Sequence, residues 1–183
     1  MKLYPHQQQF VDLDDNRTVA IWSRQQGKTT AMAAKIVKLA KERKCHQIVI
    51  SPHHKASMVT KWMVDVYVQE KYKEKASIKR FWAWLRGKRP NTMMTVLTFG
   101  NGSTVHYMGA TDIALRGFHP DHMHVDNWNE FMPPVFHPLL PVPKDKLTVY
   151  ADWNADTYKA TEYWRAQNFT IHWHNNRIEK NSD

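Results

Sequence analysis

The sequence predicts an α/β domain: a mostly parallel central sheet flanked by helices, plus one antiparallel hairpin near residues 94–108. Three observations point there. Short β-branched runs alternate with segments of helical spacing along most of the chain. Gly100-Asn101-Gly102 separates two alternating runs, a strong hairpin signal. A loop ending Gly27-Lys28-Thr29 joins a strand directly to a helix.

Taken in order, Leu3-Tyr4-Pro5-His6-Gln7 precedes the first strand and reads either as a polar turn or as a recognition segment. A glutamine amide both donates and accepts, which matches the N6 and N7 edge of adenine; Gln7 is the candidate, with Gln8 and Gln9 beside it. Thr18-Val19-Ala20-Ile21 is the first strand, and residues 31–44 have helical spacing. Between them lies Trp22-Ser23-Arg24-Gln25-Gln26-Gly27-Lys28-Thr29-Thr30. The first N–H groups of a helix lack intrahelical partners and carry partial positive charge, so this arrangement cradles phosphate. Gly27 lets the backbone approach a β-phosphate, Lys28 reaches the β- and γ-phosphates, and the Thr29 hydroxyl completes a Mg²⁺ shell. The common motif has glycine five positions before Gly27, where this chain has Trp22. The bland alternative is an ordinary helix N-terminus.

Residues 47–51 read as a buried strand stopped by Pro52, and 55–72 as a helix with Met58, Trp62 and Val66 at four-residue spacing. Residues 71–89 are strongly basic and include Trp82 and Trp84. Such a stretch can lie on a nucleic-acid backbone, but the better reading puts the tryptophans in the core and the basic groups in water. The hairpin, 94–108, comes next. Residues 121–126 form a weaker strand whose His122 and His124 share a face; two histidines make half a metal site, as do His172 and His174. Five prolines make 132–146 a constrained connection, followed by a strand at 147–151, a helix at 156–167 and a last strand at 169–174. Residues 1–174 are expected to be one domain and 175–183 a polar, flexible tail.

At 183 residues, with 42% hydrophobic and 23% charged residues, the composition is that of a globular domain. No apolar run approaches the roughly 20 residues that span a bilayer, and the N-terminus lacks the apolar core of a secretion signal. Cys45 is the only cysteine, which excludes an internal disulfide and fits a reducing compartment. A net charge of +9 favours a polyanionic partner over a merely solvated basic surface.

A phosphate cradle needs a carboxylate on a neighbouring strand to hold the magnesium shell. Asp126, ending the 121–126 strand, is the candidate, against a plain strand-terminal or helix-capping role.

The order of these motifs resembles the ATPase domain of viral terminase large subunits, motors that package DNA into preformed capsids. Residues 23–30 are similar to that family's Walker A variant, with Arg-Gln before Gly-Lys and no leading glycine. The likeness extends to 3–7, to Phe99-Gly100-Asn101-Gly102-Ser103 with Leu115-Arg116-Gly117, and to Val125-Asp126 with Phe131-Met132-Pro133 behind it. The resemblance implies a P-loop ATPase using ATP and Mg²⁺. Gln7 and Ser23, Arg24, Gln25, Gln26, Gly27, Lys28, Thr29 and Thr30 would hold the nucleotide, and Thr29 and Asp126 the metal. Arg24, Lys28 and Asp126 would act on the γ-phosphate, Arg24 because a planar guanidinium suits charge spread over phosphoryl oxygens. Arg116 is a second candidate for that task. A ring on a viral portal, driving double-stranded DNA, is implied, with a small terminase subunit or a separate nuclease as further partners. The implied location is the cytoplasm of the infected host cell, with no membrane partner.

Two departures stand out. Asn127 follows Asp126 where the family has the Glu that orients water, and Glu130 is the candidate substitute, about one helical turn away. After the 147–151 strand the family carries small hydroxyl residues; this chain has Tyr150-Ala151-Asp152, with Thr148 one step early, although Asn154 keeps its family-like place. The length leaves no room for the family's nuclease domain. Rival readings are a helicase-like ATPase, which would need a second motor-like domain, and a nucleotide-gated DNA-binding module in which Asn127 has ended turnover.

Overall fold

A computed structural model describes residues 2–72, 77–79, 95–109, 119–130, 143, 145–154, 157 and 160–174; the side chains of 69–72, 77–79, 95 and 130 are not among them. The chain runs α1 (Pro5–Asp12), β1 (Arg17–Trp22), α2 (Lys28–Glu42), β2 (His46–Ser51), α3 (His54–Tyr72), β3 (Ser77–Lys79), β4 (Thr95–Thr98) and β5 (Thr104–Gly109). It continues through β6 (His122–Val125), a 3-10 turn (Trp128–Glu130), β7 (Lys146–Asp152), α4 (Thr161–Ala166) and β8 (Thr170–His174). The described strands form one sheet in the order β3-β4-β5-β2-β6-β7-β1-β8. From β5 to β8 every pairing is parallel; β4 pairs antiparallel with both β5 and β3.

Alternation in the strands feeds two cores, one on each face of the sheet. From β1, Ala20 and Trp22 pack with Phe10 of α1, the alanine-rich face of α2, and Val64, Tyr67 and Val68 of α3. Val19 and Ile21 turn the other way, toward Ile48, Ile50, Met123, Val149 and Trp164 of α4. Burial on both faces explains why β1 and β2 read as unbroken apolar runs.

The predicted α/β architecture and hairpin are present. Gly102, at φ +82°, closes the turn by donating its N–H to the Phe99 carbonyl at 2.9 Å. Asn101 ties that turn to the end of α2, its amide donating to the Ala40 carbonyl at 2.6 Å. Three features differ from expectation. The 3–7 segment belongs to a helix, α1, with Pro5 at its first position, where a missing N–H costs nothing. The buried face of α3 is Ser57, Thr60, Val64, Tyr67 and Val68, whereas Trp62 is 61% exposed. A third strand, β3, extends the hairpin within the basic stretch. Residues 73–76 and 80–89, with Trp82 and Trp84, and the segments holding Arg116, Phe131-Met132-Pro133 and 175–183 lie outside the described residues.

Lys35 of α2 is buried beneath the end of α1. Its ammonium donates to the Phe10 and Leu13 carbonyls at 3.3 and 3.1 Å and sits 4.7 Å from the Phe10 ring centre. This supplies donors for α1's terminal carbonyls, yet burial pushes the amine down to about 8 from 10.5. Between those values the unfolded chain holds a proton that the folded chain has released, so this group makes unfolding free energy rise with pH. Lys35→Met is expected to remove that rise, measured by urea denaturation at about pH 8 and about pH 10; an unaltered slope would count against it.

Candidate phosphate-binding site

At the carboxyl edge of the sheet, residues 23–27 carry the chain from β1 into α2. Gly27 is the N-cap of α2 at φ +74°, and no side chain caps the helix. The N–H groups of Lys28, Thr29 and Thr30 therefore lie on an open helix N-terminus, the positive end of a 15-residue dipole. A Cβ on residue 27 would collide with the Gln7 amide. That close approach is why glycine is required here, beyond its tolerance of positive φ.

Gln7 is 2% exposed. Its Nε2 donates to the Gln26 carbonyl at 3.0 Å, and its Oε1 accepts the Tyr4 N–H at 3.0 Å. The amide is thus engaged at one end with the loop and at the other with α1, and these contacts brace the loop. His6 lies beside it, its Nε2 3.2 Å from the Gln26 carbonyl and its ring stacked on His174 of β8 at 3.7 Å. Ser23 starts the loop by donating its N–H to the His174 carbonyl at 3.2 Å.

The Lys28 ammonium donates to the Trp22 and Ser23 carbonyls, each at 3.1 Å, and meets Asp152 Oδ1 at 2.5 Å. Arg24 reaches the other oxygen of the same carboxylate at 3.4 Å while its side chain stays 89% exposed. Exposed pairs of that kind contribute about 1 kcal/mol or less, so Arg24 is loosely held. Asp152 is the site residue that the sequence did not single out. It ends β7 directly opposite Trp22 of β1. Its backbone is clamped by Asn129 of the 3-10 turn: the Asp152 N–H donates to Asn129 Oδ1 at 2.6 Å, and Asn129 Nδ2 donates back to the Asp152 carbonyl at 3.2 Å. Thr157 adds a hydroxyl to that carbonyl at 2.6 Å.

Asp126 follows the last residue of β6, as expected, and is 5% exposed. Its N–H donates to the Ile50 carbonyl at 2.8 Å and its Oδ2 accepts the Thr60 hydroxyl at 3.3 Å. Nearby, burial and then the Asp126 charge push the Tyr150 phenol well above its ordinary value. The expectation that Asp126 stands on the strand next to the loop needs correction. The neighbour of β1 is β7, so β1 and β6 are two strand spacings apart, about 10 Å. Asn127 adopts φ +52°, a left-handed conformation that asparagine tolerates. Glu130 ends the 3-10 turn, and its side chain lies outside the described residues.

One histidine of each pair is engaged otherwise. His124 is hydrogen-bonded through Nε2 to Gln47 Oε1 at 3.0 Å, with burial holding its pKa well below the usual range. His172 Nδ1 accepts the Trp22 indole N–H at 3.0 Å, and burial lowers its pKa as well. Among the described residues no group of three or more His, Cys, Asp or Glu side chains could hold a metal, and no helix is long and apolar enough to cross a membrane.

A strand, a glycine-capped loop with an invading lysine and an open helix N-terminus, on a parallel sheet, define a P-loop NTPase fold. The more particular likeness is to phage large terminases. The large terminase of a thermophilic bacteriophage matches with a TM-score of 0.70 at 12% identity, over 94% of this chain and 46% of that one. The same enzyme in complex with ADP gives 0.68 at 11% identity, over 94% of this chain and 45% of that one. The large terminase ATPase domain of Thermus phage P74-26 gives 0.57 at 17% identity, over 82% of this chain and 64% of that one. The chain therefore spans less than half of the first of these terminases. At these identities the likeness establishes the fold, that of a large terminase ATPase domain. No family model matches the sequence, and a search of curated proteins finds no match.

Gly27→Ala is expected to cost well over about 1 kcal/mol, because alanine is strained at positive φ and its methyl would displace the Gln7 amide. Chemical denaturation checks this; a variant as stable as the parent would show that loop and α1 are not tightly joined.

Proposed function

We propose that this chain is an ATP-binding motor domain of a viral DNA-packaging terminase, hydrolysing ATP to translocate double-stranded DNA. The observation that carries the reading is the convergence of Lys28 and Arg24 on one anion, the Asp152 carboxylate, beside the open N-terminus of α2. Two cations and a row of helix N–H groups aimed at one place are what a polyphosphate requires. The terminase fold, and the complexes of the thermophilic-phage terminase with ADP and with ATP-γ-S, support a nucleotide as the occupant.

In this reading the triphosphate lies along the 23–30 loop. The N–H groups of Lys28, Thr29 and Thr30 receive its oxygens, Lys28 moves from Asp152 to the γ-phosphate, and the exposed Arg24 folds onto the charge that hydrolysis develops. Thr29 and Asp126 offer the oxygen donors that Mg²⁺ prefers; bound there, the ion would neutralise charge on the phosphates. Thr60 keeps the Asp126 carboxylate oriented. The net charge of +9 supports contact with DNA phosphates, indifferent to sequence, as a motor that must not stall requires. The chain acts as part of a ring on a viral portal in the cytoplasm of the infected host, with a small terminase subunit or separate nuclease as partners.

Calorimetric titration with Mg-ATP and a phosphate-release assay with and without double-stranded DNA test this reading. ATP is expected to bind and DNA to raise turnover, while Lys28→Ala abolishes both binding and turnover. Arg24→Ala is expected to lower turnover about a hundredfold or more with a smaller loss of affinity. DNA affinity is expected to fall linearly on a log–log plot against salt. Absence of heat with ATP, or sequence-selective DNA binding that survives high salt, would sink the motor reading.

A further inference from the structure

We propose that Asp152, not a residue following β6, is the carboxylate that activates the attacking water. The inference rests on the nucleotide reading above and concerns the same site.

Three observations converge on Asp152. Sheet order places β7 between β1, which ends in the phosphate loop, and β6, which ends before Asp126, so the tip of β7 stands between the two halves of the site. The Asp152 side chain lies 2.5 Å from the Lys28 ammonium, the group that takes hold of a γ-phosphate. A phosphoryl group that takes Lys28 from Asp152 must approach the same ammonium, which brings it toward this carboxylate. The Asp152 backbone is fixed by Asn129 through two hydrogen bonds and by the Thr157 hydroxyl, so the tip of β7 that carries the carboxylate keeps its place when Lys28 and Arg24 leave it. At the β6 tip, by contrast, residue 127 is an amide, which cannot take a proton from water.

The chemistry closes without another reagent. The water oxygen forms a bond to the γ-phosphorus, and the bond from that phosphorus to the bridging oxygen breaks, its electron pair staying on ADP. The water's proton passes to Asp152 Oδ and from there to solvent. Arg24, released from Asp152, moves with the charge. The ion pair at rest gives the carboxylate a second effect: it competes with phosphate for Lys28, so removing its charge favours nucleotide binding.

The test measures Kd for Mg-ATP and kcat for phosphate release, with double-stranded DNA present, in the parent chain, Asp152→Asn, Asp152→Glu and Glu130→Gln. Asp152→Asn is expected to lower kcat about a hundredfold or more while binding ATP as tightly as the parent or more tightly. Asp152→Glu, which restores the carboxylate one methylene longer, is expected to retain measurable turnover. Turnover retained in Asp152→Asn overturns the proposal, and its loss in Glu130→Gln alone assigns the task to Glu130. Affinity and turnover falling together in Asp152→Asn also overturn it, because Asp152 would then only hold the loop. A parent chain that binds no ATP refutes the nucleotide reading itself, whereas one that binds ATP tightly without turnover leaves nucleotide binding standing and refutes both hydrolysis and the assignment of Asp152.

Discussion

The contact on which the site depends is the one between Gln7 and the Gly27 backbone. Gly27 must present a bare backbone to the Gln7 amide, and the amide in turn holds the Gln26 carbonyl. With the loop fixed there, α2 starts abruptly, its first N–H groups left for an anion and its first residue, Lys28, turned back toward β1 and β7. Loops of this kind expose many backbone polar groups, and an unbraced one would lose its ordered form to chain entropy. The braces come from three parts of the sequence far from it. α1 contributes Gln7 and His6, β8 contributes the His174 carbonyl and ring, and β7 contributes Asp152.

The underside of the loop is aromatic. Trp22, fully buried at the end of β1, meets Phe10, His6, His172 and His174 edge-on, and its indole N–H is satisfied by His172 Nδ1. That hydrogen bond requires His172 Nδ1 to be unprotonated, which agrees with the direction burial gives its pKa. Trp22 occupies the position where the common phosphate-loop pattern has glycine. Here a large ring anchors the start of the loop to α1 and β8, so the substitution exchanges loop flexibility for packing.

The sheet, its hairpin and the loop are legible in the sequence because each depends on local signals: β-branched runs, an Asn-Gly turn, and glycine followed by lysine at a strand–helix junction. What is not legible depends on contacts between distant segments. Gln7 suits adenine by its donor and acceptor, but that its donor holds the Gln26 carbonyl depends on the packing of α1 against the distant loop. α1 itself is hidden by its polar glutamines, although Pro5 with Phe10 and Val11 gives a start signal and an apolar face. On α3 the four-residue spacing of Met58, Trp62 and Val66 is real, but the face that tertiary packing buries is the neighbouring one with Val64, Tyr67 and Val68. Asp152 is hidden for the clearest reason. Its meeting with Lys28 is set by strand order between residues far apart in the sequence, and no local pattern encodes that order.

Two carboxylates end neighbouring strands on the edge of the sheet that holds the loop, and their surroundings separate their roles. Asp126 is buried, receives the Thr60 hydroxyl and lies beside the buried Tyr150 phenol, so it is held in one orientation away from bulk water. Asp152 keeps 27% of its side chain exposed and faces two cations, one of them almost wholly in solvent. A buried, oriented carboxylate suits the fixed charge of a metal shell, which gains from not moving. In the proposed reading a partly solvated one, released when its cations transfer to phosphate, suits proton transfer to and from water. Asn129 joins the two strand tips, since it lies in the 3-10 turn just beyond Asp126 and clamps the Asp152 backbone from both sides. The contacts thus run unbroken from Lys28 and Arg24 at the loop, through Asp152 at the tip of β7, to Asn129 in the segment that follows β6.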